Sequence, residues 1–464
     1  MLGAGGLYTL ATIAPILTLL AVTPIVTQVL GSKQYGQVAV AISVYQLGSV
    51  VLSFGLPTMV TRDALLTEGG FSGASAHVVV GSCLAATGGA IGAALAPVWA
   101  PVIFPGVSPS VVGLAVIAGA GLAVVTLAQG LMRAAERVPT FVVMAAFAAL
   151  APPILGLAGA VLWEATPQMY AAGLAAGYVI AGVVALVLAV RHAKPRGSVS
   201  HARQALAVGL PTVPHSLAVP ALLTLTLAIA VRTDGLAVAG QLQVAVMLGT
   251  AVITVINAVN NAWTPLVFST PEAERAAFLR NSTFIVSVVA AALICGYVIV
   301  APFVVPFVGG TVVTSTLPVQ ASALISLAGV FHVAYLANIH LTFIGKRTRP
   351  LAILTPVSLG LSLVVMISMN DFTPMESLMA FAVVWPAFYA FQATFSYLLA
   401  RFGPLPPVDL RRSLPVLAVG GLVALQAVIL APQPLWSIVS AIVACMLTAA
   451  WAYVLKRRSG GPLS

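Results

Sequence analysis

A chain of 464 residues that is 60% hydrophobic and 6% charged, with a mean hydropathy of +1.09, lies far from the roughly 25% charged residues of a water-soluble globular protein. Its net charge of +10 does not point to nucleic acid, because the basic residues fall in short segments between apolar runs and read as topology signals. Cys83, Cys295 and Cys445 stand singly in separate apolar runs, which excludes a disulfide framework or a metal-ligand spacing, and no cofactor is expected.

Uncharged runs of membrane length predict an all-α polytopic membrane protein of about fourteen transmembrane helices. In the first half they fall near 7–30, 37–61, 74–96, 110–132, 138–162 and 168–190. The second half gives 205–231, 237–262, 281–305, 318–344, 350–370 and 376–400, and a terminal pair follows at 413–431 and 435–455. The first run lacks a basic leader and exceeds a signal-peptide core, so it is expected to remain as a span. Between the first two, Gly31 and Gly36 bracket the polar segment SKQY, which predicts a tight turn. The second run then continues unbroken to Arg62 and Asp63.

With the N-terminus inside, 18 of the 20 basic residues lie in inner segments, leaving only Lys33 and Arg232 outside. Both termini are then cytoplasmic. The longest connection, roughly 191–204, is too short for a soluble domain, so any function must reside within the bundle or at its mouths.

Gly31, Gly36 and Gln37 recur at an offset of 204 as Gly235, Gly240 and Gln241, each set between two spans. An offset of six spans makes the halves parallel repeats. The expected organisation is an N-lobe over 1–200, a C-lobe over 201–402, and a terminal helix pair with a basic tail over 403–464. Two pseudo-symmetric six-helix lobes would enclose a central cavity.

The segments VLGSKQYGQVAVAIS and LSFGLPTMVTRDAL resemble the opening of polysaccharide and lipid-linked oligosaccharide flippases of the multidrug/oligosaccharidyl-lipid/polysaccharide (MOP) exporter superfamily. GLPTVPHSL, RTDGLAVAGQLQVAVMLG and NAWTPLVFS extend the resemblance to about residue 270. It implies an inner-membrane carrier that flips undecaprenyl-diphosphate-linked oligosaccharide to the outer leaflet of a bacterial cytoplasmic membrane by alternating access. Expected partners are the lipid-linked glycan, membrane lipid and polysaccharide biosynthesis enzymes, with a monomer as the expected unit. In the related lipid II flippases the terminal pair forms a groove for the lipid tail. That branch carries charges within its first helix, whereas 7–30 here offers only threonines, Tyr8 and Gln28, which argues against a peptidoglycan precursor. A lipid II flippase and a cation-coupled multidrug or metabolite antiporter remain the alternatives.

Moving a diphosphate and sugars past lipid calls for cations with amide and hydroxyl groups, and for no nucleophile. Gln129 and Arg133 stand at an electropositive inner mouth with Arg137, and Arg191, Lys194, Arg196 and Arg203 precede the seventh span. Tyr45 and Gln46 on the second span, and Asn257, Asn260 and Asn261 on the eighth, suit either sugar contacts or interhelical hydrogen bonds. His332, Asn338 and His340 lie on the tenth span; His332 and His340 are eight residues apart, roughly one helix face. His332 suits a proton-coupling group, a diphosphate contact or a structural histidine. Arg232 and Asp234 suit an outer gate between lobes or a solvated pair. Prolines 15, 24, 211, 214 and 220 mark the first helix of each half as bendable. A membrane-embedded polymerase or ligase is disfavoured, because every outer loop is short, and an enzyme is not expected.

Overall fold

Gly31 sets the geometry of the amino-terminal end. In a computed structural model, which describes residues 4–196, 199–345, 349–372, 376–430, 438–440, 442–444, 446–448, 450, 451 and 454, the backbone at Gly31 takes φ 72° and ψ 176°. A side chain rarely tolerates that conformation, so glycine supplies the bend between two arms of helix α1 (Ala4–Leu52). The direction therefore changes at one residue, and the expected four-residue turn is helical from Ser32 onward. The side chains of Tyr8 and Asp371, residues Lys346, Arg347, Cys445, Lys456, Arg457 and Arg458, and much of the expected last span lie outside what is described.

The second run is not one helix. It breaks at Ser53–Gly55, where Phe54 (φ 52°) and Gly55 (φ 71°) are both left-handed, and resumes as α2 (Leu56–Leu66). Pro57 in the first turn of α2 has no amide hydrogen to donate, and such a hydrogen would be unpaired there anyway. Then follow α3 (Gly70–Ala94), α4 (Ala96–Ile103), α5 (Pro109–Ala134), α6 (Val138–Leu162), α7 (Pro167–His192), α8 (Val199–Gly209) and α9 (Val213–Thr233). Next come α10 (Leu236–Gly249), α11 (Ala251–Ser269), α12 (Glu272–Gly309), α13 (Leu317–Ser326), α14 (Ala328–Ile344), α15 (Leu351–Phe372), α16 (Ser377–Arg401) and α17 (Leu414–Ile429). No strand occurs among the described residues.

Eleven of these helical stretches are long and apolar enough to cross a membrane, and the first, Leu17–Leu66, runs through the Gly31 bend. Counting its arms separately gives twelve, each in the place of one of the first twelve expected spans. Leu414–Ile429 and Ile438–Thr448 are shorter apolar helices at the positions of the terminal pair. The chain is a multi-pass membrane protein. Three further spans carry interruptions that the uncharged runs did not show: α8 and α9 meet through a short tight turn at Leu210–Thr212, which holds Pro211 and precedes Pro214, α10 and α11 meet at Thr250, and α13 and α14 meet at Leu327.

Two compact units divide the chain, one of residues 1–243 with 309–312, the other of 244–308 with 313–464. The first therefore takes in α9 and the start of α10, which the sequence placed in a second lobe beginning at 201. The reason is a seam that the second arm of α1, with the break after it, makes with α9 and with the adjoining ends of α8 and α10. At one end a methyl group on Gly36 would lie 2.0 Å from the Leu236 carbonyl oxygen, and one on Gly240 3.1 Å from that of Ser32. Midway, Thr224 Oγ1 donates to the Ser43 carbonyl (3.1 Å). At the other end a methyl group on Gly55 would lie 2.1 Å from the Gly209 carbonyl oxygen. The two repeated Gly-Gln turns thus pack on each other, and Gln37 uses its side-chain oxygen to accept from the Ser108 amide (3.0 Å), at the start of α5. Leu56, Val60, Leu127, Leu131 and Met144 form the buried core of this unit.

The second unit has its own core of Val252, Ile256, Leu279, Ile294, Val333 and Leu336 on α11, α12 and α14, with Leu417 from α17 packed into it.

Candidate functional site

Span-length helices leave few polar groups inside the first unit, and four of the candidates meet at one cavity. Tyr45 and Gln46 from α1 and Gln129 and Arg133 from α5 line a space of about 400 Å³ together with Phe141 on α6 and Tyr178 on α7. Residues 129 and 133 are one helical turn apart and so share a face of α5. Tyr45 and Tyr178 are buried, with ring centroids 5.0 Å apart and their hydroxyls hydrogen-bonded. Arg133 is exposed, and its guanidinium carbon lies 5.4 Å from the centre of the Phe141 ring, which holds the cation over an aromatic face at the rim. The wall is otherwise apolar, formed by Leu122, Val125, Ala145, Ala148 and Pro153. A rim cation with two phenols and two amides against an apolar wall can bind phosphate oxygens and hydroxyls without reacting with them.

Sequence reasoning missed Tyr178 and Phe141. Tyr178 is a polar group within an otherwise apolar run, the same signal that picked out Tyr45. Phe141 leaves no such signal, because only the short α5–α6 turn brings it under Arg133.

In the second unit two pairs of candidates bond to each other. His332 Nε2 donates to Asn257 Oδ1 at 2.8 Å, and its ring stacks on Tyr335 and meets Tyr389 edge-on at 4.7 Å. His340 Nε2 is 3.1 Å from Asn260 Oδ1 and 3.3 Å from Thr264 Oγ1, with Trp263 edge-on at 4.7 Å. Both imidazoles are buried, with no hydrogen-bond partner for Nδ1 among the described residues. Asn338 uses its amide nitrogen on the Ala334 carbonyl (3.1 Å) and its oxygen on the Val408 amide (3.1 Å). Asn261 is exposed. The His332–Asn257 and His340–Asn260 bonds are therefore interhelical, joining α14 to α11.

Arg232 donates to the Val102 carbonyl, at the end of α4 in its own unit, and Asp234 accepts from the neighbouring Thr233 hydroxyl. No Arg232–Asp234 ion pair occurs among the described residues. A third group went unnoticed in the sequence: His77 near the start of α3 pairs with Asp63 on α2, Nε2 to Oδ2, at 3.1 Å.

Solved structures share this architecture. A lipid II flippase, MurJ, in an inward closed conformation aligns with a TM-score of 0.68 at 11% identity, covering 98% of this chain and 100% of that one. An inward-facing multidrug resistance MATE family transporter of the MOP superfamily gives 0.61 at 13% identity, covering 85% of this chain and 97% of that one. A eukaryotic MATE transporter, AtDTX14, gives 0.56 at 12% identity over 90% and 97%. At such identities the likeness establishes the fold. No curated protein sequence matches the chain. The family described as "Polysaccharide biosynthesis protein" matches residues 3–270, more than half of the chain and the same stretch that carries the Gly, Pro and Tyr motifs. The chain belongs to this polysaccharide biosynthesis protein family and has the fold of the MOP superfamily.

Proposed function

We propose that the protein is a flippase that carries undecaprenyl-diphosphate-linked oligosaccharide, a polysaccharide repeat unit, from the cytoplasmic to the outer leaflet by alternating access. The observation that carries this reading is the convergence of Arg133, Gln129, Gln46, Tyr45 and Tyr178 on one cavity within a membrane-spanning unit. Arginine meets a diphosphate through charge-assisted hydrogen bonds, and amides and phenols exchange hydrogen bonds with sugar hydroxyls. The work is transport, with no bond in the substrate made or broken. With the N-terminus inside, Arg133 stands at the cytoplasmic rim, where the diphosphate would arrive. Family membership in polysaccharide biosynthesis supports a glycan cargo, and the alignment with the lipid II flippase over nearly the whole chain supports a lipid-linked one. A drug or metabolite antiporter is the competing reading, because MATE transporters share the fold.

The test measures lipid-linked glycan on each face of membrane vesicles from a deletion strain. The wild-type gene is expected to relieve a cytoplasmic-face build-up, and Arg133→Gln combined with Gln46→Leu is expected to fail while still accumulating in the membrane. Normal glycan orientation in the deletion strain, with altered sensitivity to amphiphilic drugs, would overturn the flippase reading in favour of the antiporter.

A further inference from the structure

A second polar cavity, of about 720 Å³, lies in the first unit and shares no lining residue with the first. It is framed by α2, the start of α3, the segment after α7, and α8. Its size falls within the roughly 300–1,000 Å³ of small-ligand sites. Arg62, Arg196, His77, Asp63, Glu68 and Gln204 supply the polar wall.

Asp63 is engaged: one carboxylate oxygen takes His77 at 3.1 Å, and the other lies 3.8 Å from the Arg62 guanidinium. The His77 and Asp63 side chains are 7% and 14% exposed, so this pair forms the floor and ties α2 to α3. Arg62 remains half exposed, and Arg196 is exposed and held in place by its backbone amide, which donates to the Ser72 carbonyl (3.0 Å). Glu68 and Gln204 are exposed. The wall therefore offers two guanidinium groups beside a carboxylate and an amide. Guanidinium forks fit phosphate oxygens, while carboxylates and amides are strong acceptors for hydroxyl hydrogens. Neither a bare anion nor a bare sugar would use both halves.

We propose that this cavity binds a sugar-diphosphate group, with Arg62 and Arg196 on the diphosphate and Glu68 and Gln204 on the sugar hydroxyls. The assignment rests on the flippase reading for its cargo, and it adds a docking position outside the Tyr45–Arg133 cavity. Asp63 is a positioning residue that fixes His77 and steers Arg62.

The experiment uses the full chain in neutral phosphatidylcholine nanodiscs with UDP-N-acetylglucosamine as the probe and inorganic pyrophosphate as the comparison, read by calorimetry. Arg62→Gln and Arg196→Gln are each expected to weaken the probe about tenfold or more, since each removes charge-assisted bonds, while Arg411→Gln, which removes an equal charge elsewhere, leaves it unchanged. Glu68→Gln is expected to weaken the probe and leave pyrophosphate unchanged. Thermal melts matching wild type certify that the variants are folded. No saturable binding by wild type, binding unaltered by both arginine changes, or loss on Arg133→Gln alone would each overturn the proposal. Tighter calorimetric binding of a polyprenyl-diphosphate sugar than of the probe supports the site with a lipid-linked ligand; the reverse order supports it with a soluble one. A wild-type chain that binds the probe but moves no lipid-linked glycan in vesicles would refute the flippase reading and leave the cavity's ligand standing.

Discussion

Gly173→Ala is expected to destabilise the first unit, although the same change helps an isolated helix. Alanine exceeds glycine by about 1 kcal/mol in a helix interior. In α7, however, the added methyl carbon would stand 2.1 Å from the Leu155 carbonyl oxygen and 2.8 Å from Gly156 Cα, both backbone atoms of α6. Backbone cannot rotate away as a side chain can, so the two helices must separate by about 1 Å. Gly177 against Pro152 and Gly159 against Met169 fix the same pair closely above and below, so the separation spreads along the hairpin. A gap of 0.5–1 Å forfeits about a quarter to a half of each dispersion contact. If one buried leucine's worth of contacts is affected, some 50 pairs at 0.1–0.2 kcal/mol, the loss is about 1–5 kcal/mol, centred near 3. Net of the helix preference, the central value is a penalty of about 2 kcal/mol, inside the roughly 1–3 kcal/mol usual for overpacking. The assay is the thermal melt of the purified protein beside Gly296→Ala, a mid-helix glycine on α12 with no heavy atom within 4 Å of the added methyl. That control should melt at or slightly above wild type, and Gly173→Ala several degrees below. Equal melting of the two variants would refute the close-approach argument.

Two further outcomes follow from the second unit. Asn257→Leu and His332→Ala should show a coupling of about 1 kcal/mol in a double-mutant cycle of unfolding, because each removes the partner of the same buried hydrogen bond; strictly additive effects would mean the bond contributes nothing. Asn338→Leu should release the Val408 amide, raising its hydrogen exchange about fivefold for a lost bond worth about 1 kcal/mol, and unchanged exchange there would sink the assignment.

The number and places of the spans were legible because hydrocarbon thickness imposes a length that composition alone can satisfy. Breaks within spans were not, because Thr250 and Leu327 carry no compositional mark and keep a right-handed helical backbone. Tyr45, Gln46, Gln129 and Arg133 could be selected one by one as polar groups in or beside apolar runs, and the fold brings them to one cavity. The same reasoning could not separate them from Asn257, Asn260, His332 and His340, since a polar residue in a span looks alike whether it faces a cavity or a neighbouring helix. The Asp63–His77 pair was missed for another reason: Asp63 read as the charged stop of a span, and nothing in sequence reveals a histidine waiting on the next helix.

The seam between α1 and α9 bears on how the chain is made. A methyl group on Gly36 would run into the Leu236 carbonyl, and Thr311 Oγ1 reaches back to the Thr27 carbonyl at 2.7 Å, so the first unit borrows its last pieces from 200 and 284 residues downstream. At about 5–20 residues per second, the Gly36 end of α1 waits on the order of ten to forty seconds for Leu236 to be synthesised. During that interval Gly36 and Ser43 on the second arm of α1, and Gly55 in the break after it, stand uncovered, and whatever inserts and shelters nascent spans must tolerate an open flank there until α8, α9 and the start of α10 arrive.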